Sequence, residues 1–176
     1  IKKLTFTIFF FISFVVSIAH SKTTKVIVFG DSLIAGYGLL KEDGFVNQLQ
    51  NKITHSKINL KLTNSGVSGE TSTGLLNRFK WVLEEGYDAV IISIGANDAL
   101  RGINPIITYR NIENILTHLK KNKIPTMLIG MKAPSNLGKE YVNKFNAIYP
   151  RLSKKYDVFF YPFFLKDVAL EPSHNQ

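Results

Sequence analysis

The strongest constraint on the fold is a regular alternation between two hydrophobic periods along the chain. Short apolar runs, which predict buried strands, alternate with longer segments in which apolar residues recur every three or four positions, which predict helices. The predicted strands span residues 25–30, 58–64, 87–95, 124–131 and 157–165, and the predicted helices span 43–55, 71–85, 104–123 and 139–156. Strands that alternate with helices favour a parallel sheet with helices on both faces. We therefore predict an α/β fold, a three-layer α/β/α sandwich around a five-stranded parallel sheet.

Prolines and a cap residue indicate where one predicted helix begins and where another is interrupted. Asn104 and Pro105 suit the cap and the first position of the helix that follows them. Pro150 lies inside the segment 139–156 and should bend or interrupt that helix, because proline cannot donate a backbone hydrogen bond.

The N-terminus carries a separate apolar segment. Residues 4–19 contain no charged residue and follow Lys2 and Lys3. The segment is shorter than the roughly 20 residues that a membrane-spanning helix needs. A basic start, a short apolar run and small residues before a cleavage point are typical of a signal peptide. We therefore predict a signal peptide over residues 1–19, a single domain over 20–176, and an exported protein, periplasmic or secreted; an uncleaved anchor helix is the alternative.

Charge and cysteine content exclude several classes of function. The net charge is +9, but the lysines are scattered and no dense basic block with stacking aromatics is present, so we expect no nucleic-acid partner. The chain has no cysteine, which excludes disulfides, thiolate nucleophiles and cysteine-bound zinc.

Polar, glycine-containing motifs follow the first three predicted strands. They are GDSL at 30–33, NSGVSGETS at 64–72 and SIGAND at 93–98. The carboxyl ends of parallel strands meet at one edge of the sheet, and ligands of such sheets bind there. We therefore expect these three loops to lie close together.

The residue types in these loops suit acyl transfer. The Ser32 hydroxyl could act as a nucleophile, while backbone N–H groups and the Asn97 amide could stabilise a developing negative charge. Each piece also has a purely structural interpretation. Asp31 with Ser32, or Asn97 with Asp98, could cap helices, and the glycines could serve turns.

The three motifs together resemble the first three sequence blocks of the SGNH (GDSL-type) hydrolases, especially their bacterial thioesterase, lysophospholipase and arylesterase members. The resemblance covers nearly all of the chain after the leader, and it implies a flavodoxin-like three-layer fold. It also implies that Ser32 is the nucleophile and that the oxyanion hole consists of the Ser32 and Gly69 backbone N–H groups with the Asn97 side chain. Gly66 lies in the same block, but Gly69 matches the family pattern better because Glu-Thr-Ser follows it directly. No metal or organic cofactor is required.

The catalytic base is missing from the expected place. The family supplies its acid and base from an Asp-x-x-His block near the C-terminus, whereas Asp167 lies seven residues before His174 here. His20 belongs to the leader or its edge, and His55 and His118 lie in helices away from the strand ends. We interpret the chain as ending just short of the catalytic Asp and His and of the final helix, with His174 as the alternative base.

The resemblance implies a serine esterase or thioesterase that hydrolyses acyl esters through an acyl-enzyme on Ser32, of the arylesterase, acyl-CoA thioesterase or lysophospholipase type. The alternatives are a carbohydrate O-acetylesterase and, if the chain truly ends at Gln176, a non-catalytic module that binds acyl groups or anions. A nucleotide-binding protein is disfavoured because the first loop lacks both glycine-rich phosphate motifs. We expect a small-molecule ester or thioester as the substrate, a monomer, and no stable membrane anchor once the leader is removed.

Overall fold

The computed structural model describes residues 22–169. The predicted signal peptide, and His174 near the C-terminus, lie outside the described residues. The strands are β1 (Thr24–Gly30), β2 (Leu60–Gly66), β3 (Ala89–Ser93), β4 (Thr126–Ile129) and β5 (Phe159–Tyr161). The helices are α1 (Ser32–Ala35), α2 (Phe45–His55), α3 (Ser72–Leu83), α4 (Ala96–Leu100), α5 (Pro105–Lys121), α6 (Lys139–Asn146) and α7 (Ile148–Tyr156), with short 3₁₀ turns at Lys41–Asp43 and Ser135–Leu137.

The five strands form one parallel sheet in the order β2-β1-β3-β4-β5, which confirms the predicted architecture. At the carboxyl edge, Gly30 of β1 pairs with Gly66 of β2 on one side and with Ser93 of β3 on the other. The direction of the strand order reverses at β1, so β1 and β3 flank the topological switch point where ligands bind in doubly wound sheets. GDSL and GAND therefore lie on either side of that point.

Helices cover both faces of the sheet. One face packs against α3, α5, α6 and α7 and contains the larger hydrophobic core, to which β1 contributes Ile27 and Phe29. The other face packs against α1 and α2 through a smaller cluster centred on Val28, Ile34 and Val46. Alternate residues of β1 thus enter opposite cores, as the two-residue period of a strand requires. This burial on both sides explains why the central strands are continuous apolar runs.

The structure corrects the boundaries of two predicted helices. The predicted interruption of the segment 139–156 is confirmed, but it falls at Ala147, and Pro150 lies in the first turn of α7, where proline is tolerated. The helix predicted to begin at residue 43 begins at Phe45, after a 3₁₀ turn and Gly44.

Other local predictions hold or are extended. Asn104 caps α5, accepting a hydrogen bond from the Ile106 N–H at 3.1 Å, and Pro105 is the first helical residue, as predicted. The short helices α1 and α4 lie inside motifs that the sequence indicated as loops. Within residues 22–169, every helix is too short or too polar to span a bilayer.

Candidate functional site

Ser32 lies directly beyond the carboxyl end of β1. Asp31 caps the four-residue helix α1 by accepting a hydrogen bond from the Leu33 N–H at 3.1 Å, and Ser32 is the first residue of that helix. The predicted capping role of Asp31 is therefore correct. Ser32 is half-buried, and neither its hydroxyl nor its backbone N–H donates to an acceptor within the described part of the chain. Both groups remain available to a ligand.

Two glycines allow the strand ends to approach α1 closely. A Cβ atom added at Gly30 would lie 2.2 Å from Ile34 Cγ1 and 2.6 Å from the Ser93 carbonyl oxygen. A Cβ atom added at Gly66 would lie 2.2 Å from the Ala35 backbone nitrogen. A side chain at Gly66 would therefore displace the backbone of α1, and one at Gly30 would displace the Ile34 side chain of α1 or the end of β3.

Gly69 lies in the loop between β2 and α3, and its backbone has a φ of +77°, which favours glycine. Its carbonyl accepts a hydrogen bond from Arg101 Nη2 at 2.8 Å, while its N–H donates to no acceptor within residues 22–169. Gly66 differs, because its N–H donates to Asn64 Oδ1 at 2.9 Å. Of the two glycines in this motif, Gly69 is the one with an available N–H.

Asn97 lies on α4, just beyond β3. Its Nδ2 donates to the Glu70 carbonyl at 3.0 Å, which joins the third motif to the second. A side-chain amide carries two N–H donors, so one remains for a ligand. The Val67 N–H donates to the Gly30 carbonyl at 2.9 Å and joins the second motif to the first. The structure thus connects all three predicted motifs at one edge of the sheet.

Asp98 anchors the second motif to the third, a role that the sequence did not indicate. Its carboxylate is buried and accepts hydrogen bonds from the Ser72 N–H at 2.8 Å, from the Ser72 hydroxyl, and from the Thr108 hydroxyl at 3.0 Å. The sequence suggested that Asp98 could cap a helix. It caps α3, from a distant part of the chain, and not its own helix.

Asp31 is buried beside Ser32 and has one unpartnered carboxylate oxygen. Its Oδ2 makes no hydrogen bond within the part of the chain that the structure describes. Burial raises the pKa of the Asp31 carboxyl, although the hydrogen bond from the Leu33 N–H opposes part of this rise. The negative charges of Glu70 and Asp98 raise the pKa further.

The described histidines lie away from Ser32. His55 ends α2 and is exposed, and its Nδ1 lies 2.6 Å from the Asn51 carbonyl. His118 lies in the last turn of α5 with its ring edge-on to Phe79, at 5.3 Å between ring centroids. Both helix ends lead into strands, so these histidines lie toward the amino edge of the sheet. The structure therefore brings together Ser32, Gly69 and Asn97, and no histidine of residues 22–169 joins them.

Comparisons with known proteins identify the family of the chain. The model of the GDSL-like lipase/acylhydrolase family matches residues 28–175. An arylesterase of Vibrio mimicus is 32% identical over 160 residues, which cover 90% of this chain and 80% of that protein. Thioesterase 1/protease 1/lysophospholipase L1 of Escherichia coli strain K12 is 34% identical over 152 residues, which cover 86% and 72% of the two chains.

Solved structures give the same result. The esterase AlinE4, of the SGNH-hydrolase family, superposes with a TM-score of 0.84 at 41% identity, covering 88% of this chain and 84% of the other. A doubly wound sheet with serine, glycine and asparagine motifs at its switch point defines an SGNH-type hydrolase fold. The chain belongs to the GDSL-like lipase and acylhydrolase family, a family of carboxylic ester hydrolases.

Proposed function

We propose that the protein is a serine esterase and thioesterase that cleaves acyl esters through an acyl-enzyme on Ser32. The observation that supports this proposal best is a set of three hydrogen-bond donors at one edge of the sheet. They are the N–H groups of Ser32 and Gly69 and the second amide hydrogen of Asn97, all on half-buried residues. Donors arranged in this way stabilise the oxyanion of a tetrahedral intermediate.

The reaction has two steps. The Ser32 oxygen attacks the acyl carbon, the bond to the alcohol or thiol breaks, and the leaving group departs with a proton. Water then attacks the acyl-enzyme, releases the carboxylic acid and restores the Ser32 hydroxyl. In both steps, negative charge develops on the acyl oxygen, where the three donors bind it.

The reaction also needs a base to accept the Ser32 proton. We propose that a C-terminal Asp-x-x-His block supplies it, since His55 and His118 lie elsewhere, and His174 is the alternative. A histidine is suited to this role because its pKa lies near neutral pH.

The family members matched above support the substrate class, since their names include arylesterase, thioesterase and lysophospholipase. We propose aryl esters, acyl thioesters and lysophospholipids as the substrates to test first. We also propose export, supported by the basic start and uncharged segment of residues 1–19.

The first experiment measures p-nitrophenyl ester hydrolysis by the protein expressed from its complete reading frame, beside its Ser32→Ala variant. We expect turnover that the variant lacks. Equal rates for both proteins would remove Ser32 from the mechanism. A panel of acyl chain lengths, together with an acetylated sugar, then separates this activity from that of a carbohydrate O-acetylesterase.

A further inference from the structure

Arg78, on α3, forms hydrogen bonds to residues on both sides of the loop that contains Gly69. Its Nη1 donates to Ser65 Oγ at 2.8 Å and its Nη2 to the Ser65 carbonyl at 2.6 Å. On the other side of the loop, its Nε and Nη2 donate to the two Glu70 carboxylate oxygens at 2.6 and 2.7 Å. One guanidinium thus joins the residue that precedes Gly66–Gly69 to the residue that follows them.

The ion pair is largely shielded from water and packed on both sides. The Glu70 and Arg78 side chains are only 5% and 16% exposed, and the guanidinium lies over the Phe29 ring at 5.3 Å. Gly74 leaves room for the carboxylate, because a Cβ atom there would lie 3.1 Å from Glu70 Cγ. A bidentate, buried arginine–carboxylate pair is strongly directional, so it fixes the position of Glu70.

The position of Glu70 in turn sets the geometry of the proposed oxyanion hole. The Glu70 carbonyl accepts the hydrogen bond from Asn97 Nδ2, which orients the Asn97 amide. Gly69 is bonded directly to Glu70, so the same residue also limits the orientation of the Gly69 backbone. A movement of the Glu70 side chain would therefore reach two of the three donors.

We propose that Arg78 and Glu70 are positioning residues that hold the Gly69 N–H and the Asn97 amide in place to receive the oxyanion. This inference rests on the function proposed above for those two donors. Arg78 and Glu70 act through the loop, and their side-chain polar groups bind each other and Ser65.

The test compares Arg78→Lys with the matched control Arg110→Lys. Lysine keeps the positive charge of Arg78 but lacks the planar guanidinium that donates two parallel hydrogen bonds to a carboxylate. Arg110 is exposed on α5, so the control makes the same substitution away from the loop. In Arg78→Lys, we expect a changed NMR chemical shift for the Asn97 side-chain amide and the Gly69 N–H. We also expect faster hydrogen exchange at the Glu70 N–H, which donates to the Val67 carbonyl at 3.1 Å.

Ester hydrolysis supplies the kinetic arm. We expect Arg78→Lys to lower kcat about 100-fold, the loss that a misplacement of about 1 Å can cause, with little change in KM. In an Asn97→Ala background the same substitution should lower kcat much less, since the donor it positions is already absent. Wild-type signals for Asn97 and Gly69 in Arg78→Lys, or an unchanged kcat, would overturn the proposal.

A second variant and the NMR signals distinguish a failure to fold and a failure of the proposed function from a failure of the positioning role. If Arg78→Lys does not fold, Glu70→Gln carries the same expectations, because it keeps the shape of the side chain and loses its charge. If the wild-type protein shows no Ser32-dependent hydrolysis, the proposed function fails. The Asn97 and Gly69 signals then decide the positioning by themselves.

Discussion

Gly66 and Gly69 are three residues apart, yet the structure requires glycine at each for a different reason. At Gly66 the obstacle is steric, since a Cβ atom would meet the Ala35 backbone at 2.2 Å. At Gly69 the obstacle is conformational, since φ is +77° while the nearest atom to an added Cβ is Arg101 Nη2 at 3.5 Å. The family pattern singled out Gly69 without either reason. Its N–H makes no hydrogen bond within residues 22–169, which is a separate property that the proposed oxyanion hole uses.

Gly69→Ala tests the conformational reason. The left-handed backbone should cost about 1–2 kcal/mol of unfolding free energy for a residue with a side chain, measured by urea denaturation. Relaxation of that strain should also move the N–H and lower kcat. Gly86→Ala is the control, because φ there is +82° and no atom lies within 4 Å of an added Cβ. It should lose similar stability and keep full activity; an equal loss of activity in both variants would contradict the role of Gly69.

The Asp31 carboxyl yields a prediction on pH dependence. Its pKa is raised by burial, so the folded state holds this proton more tightly than the unfolded state does. The contribution of Asp31 to stability should therefore fall as the pH rises from about 3.9, the ordinary pKa of aspartate, through the raised value. Asp31→Asn keeps an oxygen that can cap α1 and removes the ionisation.

Urea denaturation of the wild-type protein and Asp31→Asn at several pH values measures this effect. The variant should gain stability relative to the wild-type protein as the pH rises through that window, and the difference should level off above it. A difference that stays constant with pH would show that Asp31 titrates alike in the folded and unfolded states.

At the scale of elements, helix ends hold the site together. Asp98 lies on α4 yet caps α3 and also binds Thr108 of α5, so one buried carboxylate joins three helices behind the motifs. The sequence indicated the motif containing Asp98 but not this role, because the contact joins residues 26 positions apart. Likewise, α1 and α4 are too short for a helical period to be visible in the sequence.

Asp98→Asn should destabilise the protein strongly. The asparagine amide keeps one acceptor oxygen, but its NH₂ group is itself a donor and would face donors that the carboxylate now accepts from. Hydrogen bonds to a charged group are worth about 1.5–3 kcal/mol each. Chemical denaturation should show a loss of about 2 kcal/mol or more. Asp43→Asn, at an exposed position of the 3₁₀ turn, should change stability little. Similar values for both variants would refute the anchoring role of Asp98.

Asn104→Ala tests the cap that the sequence predicted for α5. Loss of the hydrogen bond to the Ile106 N–H should lower the unfolding free energy by about 1 kcal/mol. Asn104→Asp retains an acceptor at the same place and should restore most of this loss. Equal stability of the alanine variant and the wild-type protein would show that the cap contributes nothing measurable.

For the whole molecule, the sheet and the position of the motifs were predictable, whereas the contacts that orient them were not. Hydrophobic period and parallel connectivity are enough to place Ser32 and Asn97 at the same edge. The break at Ala147 was predictable from Pro150, which has no N–H to donate to the Asn146 carbonyl. Its exact position was not, since alanine favours helices. The hydrogen bonds of Arg78 reach across a loop to Ser65, and no residue spacing predicts such contacts. Sequence therefore predicts where the site lies, and packing determines its orientation.

Covalent labelling by an alkyl fluorophosphonate tests most directly whether Ser32 is the nucleophile. This reagent carries a phosphorus centre where an ester substrate carries its carbonyl carbon. The protein from the complete reading frame is labelled, digested and mapped by mass spectrometry, beside Ser32→Ala and Asn97→Ala. We expect one adduct, on Ser32, that is absent from Ser32→Ala and forms much more slowly in Asn97→Ala. An adduct on another residue, or no adduct in the wild-type protein, would show that Ser32 is not the nucleophile.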